Sequence, residues 1–128
     1  MNWKTVLAYW LACLALGFEC LILVRLLFFP GVAGSYSEIT RTYWCTSPTV
    51  CIHERGHALD DALGWPSRSA AYRIALIEFA GTDHPWAEPT RKELDEGHNL
   101  TETYAEMYEA AGGNIDLIPE TLRRFYLQ

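Results

Sequence analysis

Cationic side chains are scarce in this chain: two lysines and eight arginines stand against sixteen carboxylates, a net charge of −6. The imbalance deepens after residue 30, where eight Lys/Arg face fifteen Asp/Glu for a net −7, and no basic stripe forms. Such a surface repels phosphate backbones, so nucleic acid is excluded as a partner class. Histidine and cysteine are equally sparse, four of each. Internal repeats and low-complexity tracts are absent, and 128 residues amount to one small domain plus an appendage.

What is present is unevenly spread. Residues 5–24 read TVLAYWLACLALGFECLILV with a single charge, Glu19, and the apolar run passes Arg25 to LLFF before stopping at Pro30-Gly31. About twenty such residues at helical rise span ~30 Å, the thickness of a bilayer core. A buried helix in so small a domain is seldom apolar on every face. Residues 1–30 are therefore expected to form a transmembrane anchor that meets the membrane through residues 5–29. A core helix is a rival reading, as is a signal peptide, because Gly31-Val32-Ala33 has the small-x-small pattern of a cleavage site. The run is longer than a signal peptide needs, which favours the uncleaved anchor. Glu19 at membrane depth needs a polar partner, which a homo- or hetero-oligomer through the apolar helix would supply. Lys4 precedes the run while Arg25 and Arg41 follow it, so charge assigns no orientation.

Two cysteines, Cys13 and Cys20, fall in the apolar run and read as small packing residues. Cys45 and Cys51 are close enough to bridge. A disulfide there implies an oxidising compartment, so the domain at residues 31–128 is expected outside the cytoplasm. The protein is then a single-pass membrane protein, or a secreted one if the leader is cleaved.

The fold class is expected to be mainly α (α+β): a transmembrane helix, then a small helical domain with a short β-strand or hairpin ahead of its first helix. Residues 31–37 read as a linker and residues 39–44, rich in β-branched and aromatic side chains, as a strand. Ser47-Pro48 is an N-cap with proline at the first helical position, opening a helix that runs to Leu63 and stops at Gly64. Ser67 is the expected cap of a second helix with Ala71, Ile74, Ala75, Ile77 and Phe79 on its core face. Residues 82–89 read as a loop and residues 90–97 as a short polar helix; residues 100–111 form another, closed by Gly112-Gly113, and Pro119 opens the last.

The chemistry concentrates in HERGH, residues 53–57. His53 and His57 lie one turn plus about 40° apart on a helix, so both imidazoles can grip one ion. Glu54 sits beside them, placed to reach a metal-bound water as general base. Gly56 lets something approach closely between the histidines. The long form H-E-x-x-H-x-x-G-x-x-H is excluded, since Asp60 and Leu63 stand where its glycine and third histidine belong. A zinc hydrolase needs a third ligand, and Asp83, His84, His98, Glu102, Glu106 and Glu109 are the candidates. Glu102 and Glu106 are four apart on one helix, where one carboxylate can bind zinc while the other accepts the N–H of a ligand histidine. Asp60 and Asp61 sit badly with the dipole at the C-terminal end of the metal helix, and a supporting role behind the ligands would explain Asp60.

HERGHALDD, followed 45 residues after His57 by ETYAEMYE, resembles the gluzincin metallopeptidases, most closely small domains similar to the protease domain of anthrax lethal factor. The similarity covers residues 51–108. It implies a zincin-like domain with Zn²⁺ held by His53, His57 and Glu102, Glu54 as base and Glu106 behind the ligands. The tyrosine that the family places about two turns before its ligand glutamate has no counterpart in LDEGH, residues 94–98. His98 is the nearest replacement as oxyanion donor, ahead of Tyr104, Tyr108 and Tyr72. The function so implied is a membrane-anchored zinc metallopeptidase that hydrolyses peptide bonds of a peptide or protein substrate through a zinc-activated water. The strand at residues 39–44 would offer an edge for an extended peptide. The alternative is a non-catalytic, membrane-tethered module, stabilised by zinc or by its disulfide, for interaction or assembly.

Overall fold

A computed structural model describes residues 33–127. The apolar run at residues 5–29, read as an anchor or signal peptide, lies outside the described residues. Among the described residues no helix is long and apolar enough to cross a membrane. They form a mainly α domain in which a β-hairpin precedes five helices.

The hairpin pairs β1 (Gly34–Ser37) with β2 (Thr42–Cys45) antiparallel, Gly34 opposite Cys45 and Ser37 opposite Thr42. The strand is thus shorter than the sequence suggests, and part of the expected linker pairs with it. Ile39 is 96% exposed at the turn, and Arg41 takes a left-handed φ of 52° to reverse the chain. β1 contains no β-branched residue; its position comes from packing. A Cβ at Gly34 would lie 2.4 Å from Val50 Cγ1 and 2.7 Å from Glu54 Oε1, so only glycine lets the strand settle on the next helix.

That helix, α1 (Pro48–Ala62), begins and ends as its sequence dictates. The Ser47 side chain accepts from Val50 N, proline occupies the first turn, and Gly64 turns the chain away at φ 77°. A Cys45–Cys51 disulfide ties β2 to its first turn, with Cα atoms 5.1 Å apart. Closing so short a loop stabilises by about 2 kcal/mol on the chain-entropy model.

A 3₁₀ turn at Pro66–Arg68 leads into α2 (Ala70–Ala80), followed by α3 (Ala87–Asp95), α4 (Leu100–Ala110) and α5 (Glu120–Arg123). α2 is capped by Ser69, whose Oγ accepts from Tyr72 N, and not by Ser67. Its buried face is Tyr72, Ala75, Leu76, Phe79 and Ala80, the i, i+3, i+4, i+7, i+8 rows of one stripe. Ile74 and Ile77 fall on the opposite side, 57% and 53% exposed. The core continues through Tyr104, Met107 and Tyr108 of α4 to Ile118, Leu122 and Tyr126. Each large side chain so buried stabilises by roughly 1.5–3 kcal/mol. Tyr126 stacks on Tyr104 with ring centroids 3.9 Å apart and donates its hydroxyl to Tyr104 O at 3.0 Å. This tyrosine cluster anchors α4, which carries half of the candidate site.

Candidate metal centre

α1 and α4 cross where neither has a bulky side chain. A Cβ at Gly56 would stand 2.8 Å from Ala105 Cα and 3.2 Å from Ala105 O. Ala105 is therefore what approaches between the two histidines, backbone against backbone. The crossing brings His53 and His57 on α1 to face the first turn of α4. Asn99 caps that turn through its side chain, accepting from Thr101 N at 3.1 Å. Glu102, in the same turn, benefits as an anion from the positive end of the helix dipole.

The two imidazoles stand 4.9 Å apart, nearly edge to face. His53 Nε2 lies 3.3 Å from Glu102 Oε2, and His57 Nε2 lies 3.5 Å from Glu102 Oε1. One ligand atom from each of the three residues falls within 4.8 Å of the others. Zinc with bonds near 2.0–2.1 Å and tetrahedral angles requires ligand atoms ~3.4 Å apart, and each imidazole Nε2 stands at about that distance from one oxygen of the Glu102 carboxylate. Both ring nitrogens of His53 face carboxylates. His53 Nδ1 lies 3.0 Å from Glu109 Oε2, and a carboxylate only accepts, so Nδ1 carries the hydrogen. Nε2 faces the Glu102 carboxylate, which also only accepts, so it donates a hydrogen there when the ring is charged and presents a lone pair when the ring is neutral. Two acceptors at that distance need a cation between them, a proton or a metal ion.

Without a metal the ionisations reflect this crowding. Hydrogen bonding to Glu102, reinforced by the charges of Glu102 and Glu109, raises the His53 pKa from 6.5 against the opposing effect of burial. The same hydrogen bonds, from His53 and His57, hold Glu102 well below the usual carboxylate range.

Glu54 is 6% exposed, covered by the hairpin at Gly34. Burial raises its pKa from 4.5, with the two histidines pulling the other way. Its Oε2 is buried and without a hydrogen-bond partner. Glu54 and His53 line an open groove of about 590 Å³ bordered by Ala33, Val50, Glu106 and Glu109.

The other residues singled out from sequence fall elsewhere. The partner of the histidine Nδ1 is Glu109, not Glu106. Seven residues past Glu102 return to within about 20° of its direction on a helix, whereas four overshoot by about 40°. Glu106 instead borders the groove beside Glu109. Asp60 is fully buried, and its carboxylate accepts from Ser67 N at 3.0 Å and from Ser67 Oγ, tying the end of α1 to the following turn. His98 belongs to a separate group, its ring nitrogens facing Glu93 and Glu96. Tyr72 and Tyr104 are core residues whose hydroxyls meet Tyr126 OH and Phe125 O, and Tyr108 is buried beside Gly113. His84 Nδ1 accepts from Trp86 N, and Asp83 is exposed in its loop. Comparison with protein-family models, with curated proteins and with solved structures finds no significant match to this chain.

Proposed function

We propose that this protein is a membrane-anchored zinc metallopeptidase of the gluzincin type that its sequence resembles, with the metal held by His53, His57 and Glu102. The observation that carries the reading is the pair of ligand-to-ligand distances, 3.3 and 3.5 Å, between two imidazole Nε2 atoms and one carboxylate. A zinc ion bound there supplies a Lewis acid that polarises a carbonyl and acidifies water. Glu54 takes a proton from the attacking water and hands it to the leaving amine. Glu109 fixes the His53 tautomer through Nδ1. The groove beside Glu54 receives the peptide, with Ala33 at the entry to β1 on its border. Among the described residues β1 pairs on one side only, which leaves an edge for an extended chain. The Cys45–Cys51 disulfide favours an extracytoplasmic setting.

A second reading, a zinc-stabilised module without catalysis, is favoured by one observation: His98 and the three tyrosines considered as oxyanion donors are engaged or buried elsewhere. The two readings part in a peptide-library assay of the zinc-loaded full-length protein and its Glu54→Gln variant. Turnover by the wild type, with a variant that keeps its zinc and cleaves at least ~100-fold more slowly, is the expected result. Equal activity in the variant removes Glu54 as the base. One zinc per chain without cleavage of any peptide selects the second reading.

A further inference from the structure

With Glu109 on the histidine, Glu106 is available for something else. It borders the groove at the metal and also a second cavity, about 140 Å³, between α3 and α4. Ala110 lines both, so the two spaces adjoin. The cavity is much smaller than the roughly 300–1,000 Å³ that encloses a whole small ligand, and its scale is that of one long side chain. Its lining is mostly apolar, with Trp86, Pro89 and Met107, and includes two carboxylates, Glu93 and Glu106.

Thr103 also lines it, 3% exposed, with a buried hydroxyl oxygen that has no hydrogen-bond partner. The basic residues of α3 are occupied elsewhere. Arg91 donates to Ala80 O, and Lys92 pairs with Glu96. Glu93 shares its carboxylate with the exposed His98 ring at the rim. An apolar lining that also holds two carboxylates and an unpartnered hydroxyl matches one class of side chain, a methylene stem with a cationic head.

We propose that this cavity is the side-chain subsite of the peptidase and takes a lysine or arginine of the substrate, its stem against Trp86, Pro89 and Met107 and its head at Glu93 and Glu106. The assignment rests on the peptidase reading for its role in cleavage, though not for its binding preference. An acidic residue is repelled, and an apolar one of equal length leaves the Glu106 carboxylate and the Thr103 hydroxyl without a partner.

The test uses the zinc-loaded full-length Glu54→Gln protein and heptapeptides of alanine with lysine, arginine, norleucine or glutamate at the central position. Binding is followed by tryptophan fluorescence. Lysine and arginine peptides are expected to bind about tenfold or more tightly than the norleucine peptide. Glu106→Gln, or Thr103→Val in its place if that protein does not fold, should erase most of the difference while zinc content stays at one per chain. Equal affinity for lysine and norleucine peptides overturns the subsite, as does a preference that survives both substitutions. A lysine preference in binding with no cleavage by the wild type keeps the subsite and removes the peptidase reading.

Discussion

Gly56→Ala adds one carbon at the point where α1 and α4 cross beside the candidate site. The new Cβ would sit 2.8 Å from Ala105 Cα, a backbone atom that no rotamer change can move aside. Carbon atoms rest at about 3.5–4.0 Å, so α1 and α4 must part locally by about 1 Å. The edges at 3.3 and 3.5 Å widen with them, since His53 and His57 ride on one helix and Glu102 on the other. Metal–ligand distances tolerate only about ±0.2 Å. Overpacking costs roughly 1–3 kcal/mol, but removing a mid-helix glycine returns about 1 kcal/mol. The metal-free protein should therefore lose at most about 2 kcal/mol in chemical denaturation. Zinc affinity, measured by competition with a chromophoric chelator, should fall about 10–100-fold. A Gly56→Ala protein with wild-type zinc affinity would mean that the close crossing has no part in building the site.

Two further outcomes follow from the same geometry. Glu109→Gln replaces the acceptor at His53 Nδ1 with a weaker one and should lower zinc affinity about 10–100-fold, whereas Glu106→Gln should leave it unchanged; equal losses in the same chelator competition would reject the assignment of that contact. The pH dependence changes sign with the metal. In the zinc-free protein, His53 has a raised pKa, so its stabilisation is present below 6.5 and is lost as pH rises through that raised value. Glu102 has a lowered pKa, so its stabilisation is present above 4.5 and is lost as pH falls through the lowered value. Zinc needs the neutral imidazole, and the increase in Tm on adding it should grow from pH ~5.5 to ~8. An increment that is flat or shrinks over that range would contradict binding at His53.

The ends of α1 and the spacing of its histidines are readable in one dimension, because Ser47-Pro48, Gly64 and the four-residue interval act locally. What was not readable depends on where elements meet. Gly34-Ser35-Tyr36-Ser37 shows little strand character, and it is a strand because Gly34 fits over Val50 and Glu54. Ile74 and Ile77 are apolar by type, yet the phase set by Tyr72, Leu76 and Phe79 turns them outward. Ser67 looks like a cap from its neighbours; in space it serves the buried carboxylate of Asp60. The choice between Glu106 and Glu109 required knowing which face of α4 meets α1. A heptad interval from Glu102 was the available signal, and it gains meaning only once the crossing at Gly56 and Ala105 is known.

Zinc K-edge X-ray absorption of the zinc-loaded full-length protein tests whether one zinc ion is bound by two histidines and a carboxylate. The expected spectrum has nitrogen and oxygen scatterers alone at about 2.0–2.1 Å, with imidazole multiple scattering from two rings, and it loses a light-atom ligand in Glu102→Ala. Sulfur scattering at about 2.3 Å, or a spectrum unchanged by Glu102→Ala, would rule out this ligand set.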